Sequence, residues 1–268
     1  MLPSGPGKNR FNKVLIFSGV IYAIMMVGLS SIWYAPQWIS SFHFFNDLPE
    51  WKQMDKVAHF FWTFQVSAVA SRLMHWAKPD DKLSARTGAI MGFLFVSGIE
   101  MADGFSIAYG ASIFDIMANA LGAIFFLGQR MLWKKILVWP KFSFHPTAFA
   151  PMRPEVLGNG LFEEIVKDYN GQTFWYSFHL PWIPLPRWLT VAVGIGADGM
   201  IYGRDHENAA VHFTPDRKYF ISLDLDLSHI QSSSKFVKAL CYIPNIIKVP
   251  APAVEVSSQG VRFHPIYF

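Results

Sequence analysis

Apolar positions fall in two patterns: long unbroken runs up to about residue 135, and short alternating runs from about residue 156 onward. The first long run, from about Val14 to Trp33, follows Lys8, Arg10 and Lys13. Its roughly 20 residues are the length that an α-helix needs to cross a bilayer. The run exceeds the core of a usual secretory signal and no A-x-A-like site closes it, which predicts an uncleaved anchor. Trp33, Tyr34 and Trp38 follow as an expected interfacial aromatic belt. A second span is expected from about Val57 to Trp76, interrupted by His59, Gln65 and Arg72. A third begins near Thr87, beyond the polar loop AKPDDKLSAR, and is cleanly apolar only to Ile99. The fourth runs from Ser112 to about Trp133 and is closed by Arg130, Lys134 and Lys135. Basic residues gather before span one, between spans two and three, and after span four, whereas Phe105 to Ala111 carries none. The positive-inside rule then places both termini in the cytoplasm, in a bacterial inner membrane. An outer-membrane setting or a periplasm-facing carboxyl-terminal domain is the alternative.

Beyond Lys141 the prolines at 146, 151 and 154 predict a linker that cannot continue a helix. LFEEIVKD then suggests a short helix, and QTFWYSFHL, LTVAVGIG, KYFISLDLDL and GVRFHPIYF read as strands. In KYFISLDLDL, Tyr219, Ile221, Leu223, Leu225 and Leu227 share one face, and Ser222, Asp224 and Asp226 the other. KFVKALCYIPNIIK is basic and amphipathic, suited either to a membrane surface or to covering the sheet. The expected fold is an α+β membrane protein with a basic tail at 1–13, a four-helix transmembrane bundle at 14–135, a proline-rich linker at 136–155 and a small β-rich, membrane-associated domain at 156–268.

Composition supports the membrane reading: the chain is 52% hydrophobic and 16% aromatic but only 16% charged, well off the soluble average. The net charge of +4 sits at the edges of apolar runs, which fits lipid headgroups and excludes a nucleic-acid groove. Cys241 is the one cysteine, so neither a disulfide framework nor a cysteine zinc site is available. Gly194, Gly196 and Gly199 spell G-x-G-x-x-G after a strand, but no helical period follows, so no nucleotide is expected. Asp224 and Asp226 read as solvent-facing aspartates on an edge strand, and His206 and His212 lack a third ligand at metal spacing.

Polar groups inside the apolar runs change the picture. Lys56 and His59 start span two, Glu100 and Asp103 end span three, and Asp115 and Asn119 start span four. All lie at one membrane depth on the extracytoplasmic side, and charges in such surroundings face a partner or a polar cavity. Ser112 and Asp115 have capping-pair spacing, which explains Asp115 in part but not Asn119 one turn deeper. Three chemistries fit. Lys56 and His59 bind a lipid phosphate while a carboxylate acts as general base; or His59, Glu100, Asp103 and Asp115 hold a divalent cation; or the network only fixes helix register. No cofactor is demanded, although a divalent cation is possible.

MDKVAHFF and GIEMADGFSIAYGASIFDIMANALGA resemble the signatures of the YfiM-like proteins, a family of unknown function within the wider VanZ-like group. SFHFFND, KFSFHP, KDYNGQTFWYS, VGIGADGM and VPAPAVE resemble the longer version of that family seen in Bacteroidota. The motif positions are Asp55, Lys56, His59, Phe60, Glu100, Asp103, Gly104, Gly110, Ser112, Asp115, Asn119 and Gly122. The resemblance implies a small helical membrane protein concerned with the cell envelope and assigns no catalytic residue. Together these readings predict a polar pocket that binds an anionic lipid or lipid-linked envelope precursor. Lys56 and His59 would lie on the phosphate, Glu100 and Asp115 would be acid/base or ligand-orienting groups, and Asn119 would sit below. Expected partners are membrane lipids. The alternative is a non-enzymatic scaffold in a larger membrane complex.

Overall fold

The computed structural model describes residues 6–33, 41–77, 80–180, 186, 188–227 and 244–268, with side chains of the first helix from 10 to 28. The expectations for Tyr34, Trp38, Cys241, the Trp33 side chain and most of KFVKALCYIPNIIK lie outside the described residues. The fold is α+β, and the chain divides into two compact units, Met1–Leu48 with Lys56–Ile136, and Pro49–Asp55 with Leu137–Phe268.

The first unit holds helices α1 (Pro6–Trp33), α2 (Met54–Ala77), α3 (Asp81–Asp103) and α4 (Ile113–Trp133). α3 starts ahead of the predicted Thr87 because Asp80 caps it, its side chain accepting from Leu83 N at 2.9 Å. α4 starts where expected, on the Ser112 cap. Val14 of α1 packs with Ala70, Met74 and Met91, and Tyr22 stacks on Phe95 with ring centroids 4.6 Å apart. α2, α3 and α4 approach closely through glycines: a Cβ at Gly92 would strike Ser67, and one at Gly122 would strike the Phe60 carbonyl. Beside this apolar core the unit buries polar side chains and exposes large apolar ones. Thr63, Gln65, Ser67 and Ser71 are buried, whereas Trp62, Val69, Ile90, Leu94, Leu121 and Ile124 are exposed.

Membrane-crossing character is less uniform than predicted. Among the described residues two stretches are long and apolar enough to cross a bilayer by length and composition, Arg10–Gly28 and Ile113–Trp133. α2 and α3 fall short of that composition, as their buried serines, threonine, glutamine and glutamate explain. Four helices are present; four spans are not established by them.

The second unit is built on a six-stranded antiparallel sheet in chain order, from β1 (Val138–Phe144) and β2 (Gln172–Phe178) through β3 (Leu189–Asp198) and β4 (Asp216–Leu225) to β5 (Ala251–Ser257) and β6 (Gly260–Tyr267). β2, β3, β4 and β6 occupy the predicted runs. β1 lies inside the stretch expected as a linker, and β5 was not expected. Each contains a proline, Pro140 and Pro252, which cannot donate to a ladder. Gly194 and Gly196 lie within β3, and Gly199 turns the chain with φ 78°. Short helices α5 (Pro154–Leu157), α6 (Leu161–Lys167) and α7 (Asp205–Ala210) fill the connections.

The sheet curls until its last strand reaches its second: Tyr267 Oη and Thr173 Oγ1 are 3.1 Å apart, and the Tyr267 ring lies 4.5 Å from that of Phe220. Here one expectation is overturned. Asp224 and Asp226 are buried, not solvent-facing, because β4 is an interior strand between β3 and β5 and its polar side lines the concave face. Lys141 Nζ sits 2.8 Å from Asp224 Oδ2, and Glu255 receives His264 at 2.7 Å. The alternating apolar side faces outward instead, with Ile221 58% and Phe263 64% exposed.

Segment Pro49–Asp55 is tied to this sheet unit. Trp51 N donates to Gly203 O at 2.7 Å, Arg204 Nε to Glu50 at 3.1 Å, Lys52 Nζ to Asp205 at 2.6 Å and Arg217 to Gln53 at 2.8 Å. These contacts hold Trp51, Lys52 and Gln53 in left-handed backbone, with φ of 50°, 50° and 57°.

Candidate functional site

The site lies at the end of the helical unit where α2 and α4 begin and α3 ends. The segment before α2 lies along the loop between α3 and α4. His43 N donates to Gly104 O at 2.9 Å, Ala111 N to His43 O at 3.0 Å and Phe45 N to Ala111 O at 3.0 Å. His43 Nε2 also meets Tyr109 O at 2.7 Å. This local pairing delivers Asp47, a residue that sequence reasoning missed.

Asp47 closes the upper part of the cluster. Its Oδ2 lies 2.6 Å from Lys56 Nζ, and its Oδ1 accepts from Ser112 Oγ at 2.6 Å. Burial works against its charge, but hydrogen bonds from Asp115, Lys56 and Ser112 prevail and hold its carboxyl below the usual carboxylate range. Lys56 Nζ also lies 3.0 Å from Asp115 Oδ1. That oxygen accepts no hydrogen bond, so the contact is an ion pair off the hydrogen-bond axis. Ser112 does three things: its hydroxyl donates to Asp47, that same Oγ accepts from Asp115 N at 3.1 Å as the cap of α4, and its own N–H donates to Glu100 Oε2 at 3.0 Å.

One turn deeper, Asn119 organises the histidine. Its Oδ1 accepts from Thr63 Oγ1 at 3.0 Å and lies 3.1 Å from His59 Nδ1, while its Nδ2 donates to Ser97 Oγ at 3.2 Å. With Oδ1 as an acceptor, His59 Nδ1 carries the hydrogen. His59 Nε2 therefore faces Glu100 Oε1 at 3.4 Å and Asp115 Oδ2 at 3.9 Å. Glu100 is 1% exposed and Asn119 0%.

Of the residues singled out from sequence, Lys56, His59, Glu100, Asp115 and Asn119 are brought together here. Asp103 ends α3 half-buried, and it lies outside the group of His59, Glu100 and Asp115 donor atoms that sit within 4.8 Å of one another. Asp47, Thr63 and Ser97 are the additions. Asp47 has a sequence signal only in hindsight, as the acidic end of the aromatic segment SFHFFND.

Residues 43–127 match the model of a family described as a predicted periplasmic lipoprotein (DUF2279). The match covers α2, α3, the greater part of α4 and every motif position from Asp55 to Gly122, and leaves the six strands outside it. No curated protein and no solved structure matches the chain.

Proposed function

We propose that the chain is an integral membrane protein of the cell envelope whose helical unit binds an anionic lipid or lipid-linked envelope precursor where α2, α3 and α4 meet. One observation carries this reading: titratable groups from four separate segments converge at one end of helices whose outer faces are apolar. The periplasmic lipoprotein description of the matched family supports an envelope setting, and the motif residues support the finer likeness to YfiM-like and VanZ-like proteins. Lys56 and His59 contact the phosphate, Glu100 and Asp115 orient it or exchange protons with it, and Asn119 holds the histidine ring. The outward apolar face of the curled sheet supports membrane contact by the second unit as well.

The test is lipid retention. The full chain, purified in mild detergent, is expected to carry phospholipid or a phosphate-bearing precursor by native mass spectrometry, and His59→Gln is expected to lose most of it. Equal retention by both proteins would remove the reading. The rival scaffold reading is favoured by one observation, that Lys56 is already engaged by two carboxylates. It predicts stoichiometric protein partners in the same preparation, unaffected by His59→Gln.

A further inference from the structure

We propose that His59, Glu100 and Asp115 form a binding site for a divalent transition-metal ion of the zinc or manganese type. The inference starts from the charge balance. Asp47, Glu100 and Asp115 bring three carboxylates to one cluster, and Lys56, the one fixed cation placed within it among the described residues, lies against Asp47 and Asp115. Ligation takes the carboxylates in their ionised form, and a divalent cation then balances the charge that Lys56 alone does not. A second observation points to the same place. Glu100 Oε1 is buried without a hydrogen-bond partner, although its sister oxygen is satisfied by Ser112 N–H at 3.0 Å. That bare oxygen is aimed at His59 Nε2, 3.4 Å away.

The donor set is chemically coherent. Because Asn119 Oδ1 takes the Nδ1 hydrogen of a neutral ring, Nε2 presents its lone pair to the two carboxylate oxygens. Metal–nitrogen and metal–oxygen bonds of about 2.0 to 2.2 Å at a tetrahedral centre put neighbouring donors about 3.3 to 3.6 Å apart. The observed separations of 3.4 and 3.9 Å from His59, in a group of donor atoms all within 4.8 Å of one another, lie near that span. Each ligand also has an outer partner, Asn119 for His59, Ser112 for Glu100 and Lys56 for Asp115, as metal ligands characteristically do. A nitrogen donor among two carboxylates selects against magnesium and calcium, which prefer oxygen. Three protein donors leave a coordination position open. Resting on the lipid reading above, that position takes a phosphate oxygen, so His59 meets the anionic headgroup through the metal while Lys56 meets it directly.

The experiment uses the full chain in detergent, stripped with chelator and dialysed against Zn2+ alone. One zinc per chain is expected, with affinity reduced at least tenfold in Glu100→Gln and in His59→Gln and little changed by excess Mg2+. If a variant misfolds, Co2+ substitution of the wild-type chain decides: a visible d–d band of a low-coordinate nitrogen–oxygen site supports the assignment. Zinc binding well below one per chain, or equal zinc binding by wild type and the Glu100→Gln/His59→Gln double variant, overturns it. The two readings fail separately. Zinc bound without any effect on lipid retention leaves the metal site and removes its link to lipid, whereas lipid retained by a chain that binds no zinc removes the metal site alone.

Discussion

Lys56 is the residue on which the stability of the candidate site depends most. Its ammonium lies between Asp47 and Asp115, and removing it leaves two carboxylates facing each other in a nearly closed environment. Lys56→Ala is expected to lower stability by about 3 kcal/mol, the order seen when a buried ion pair loses one partner. Adding Asp115→Asn should restore part of the loss, as thermal unfolding in detergent would show; a further drop in the double variant would mean that the pairing contributes nothing. Asp47 sets the acid limit of the same cluster. Its folded pKa lies below the 3.8 of the free group, so its contribution is fully present above that value and disappears as pH falls through the folded one. Unfolding temperature should therefore fall off below about pH 4, and less steeply for Asp47→Asn. Lys56, His59, Glu100, Asp115 and Asn119 were legible in the sequence because polar residues are conspicuous in apolar runs. Asp47 was not, because a loop aspartate among aromatic residues has no periodicity that assigns it a partner, and only the pairing of His43 and Phe45 with the α3–α4 loop brings it in.

Among the elements, long helices were readable from apolar run length, and their starts from caps such as Ser112. Strands β1 and β5 were not, because neither short run stands out from the prolines around it, Pro140 and Pro146 or Pro244, Pro250 and Pro252, whereas Pro265 did not hide the run of β6. Helix spacing at the site depends on the absence of a side chain at Gly122, where a Cβ would meet the Phe60 carbonyl of α2. Gly122→Ala should cost about 1 to 3 kcal/mol as an overpacking change, with parallel weakening of whatever the site binds. A variant as stable as wild type would show that α2 and α4 are not in this contact. On the concave face of the sheet, Lys248 lies over Trp175, and burial pushes its pKa down to about 8, against the pull of Asp224. The unfolded chain there binds the proton that the folded one releases, so the stability of this unit should rise between about pH 8 and 10.5, by roughly 1.4 kcal/mol per pH unit at most. In Lys248→Met that rise should vanish from the pH series of unfolding midpoints.

At the scale of the whole molecule, both units bury polar side chains beside their apolar cores and turn large apolar side chains outward, an outer surface suited to hydrocarbon. The sequence displayed the alternation of β4 correctly and still assigned its faces the wrong way round, because period 2 says which residues share a face and nothing about which face is wet. Tryptophan placed at Ile221, on the outer face, should be quenched by brominated phospholipids in reconstituted vesicles, while the native Trp175 on the concave face should be spared. Equal quenching at both depths would place the sheet out of contact with lipid. The same outward-turned sheet governs how the protein behaves at the bench. Where detergent is scarce, the Ile221 and Phe263 faces of two copies are the nearest available shield for each other, so apparent particle size should follow the detergent-to-protein ratio and fall when lipid is supplied.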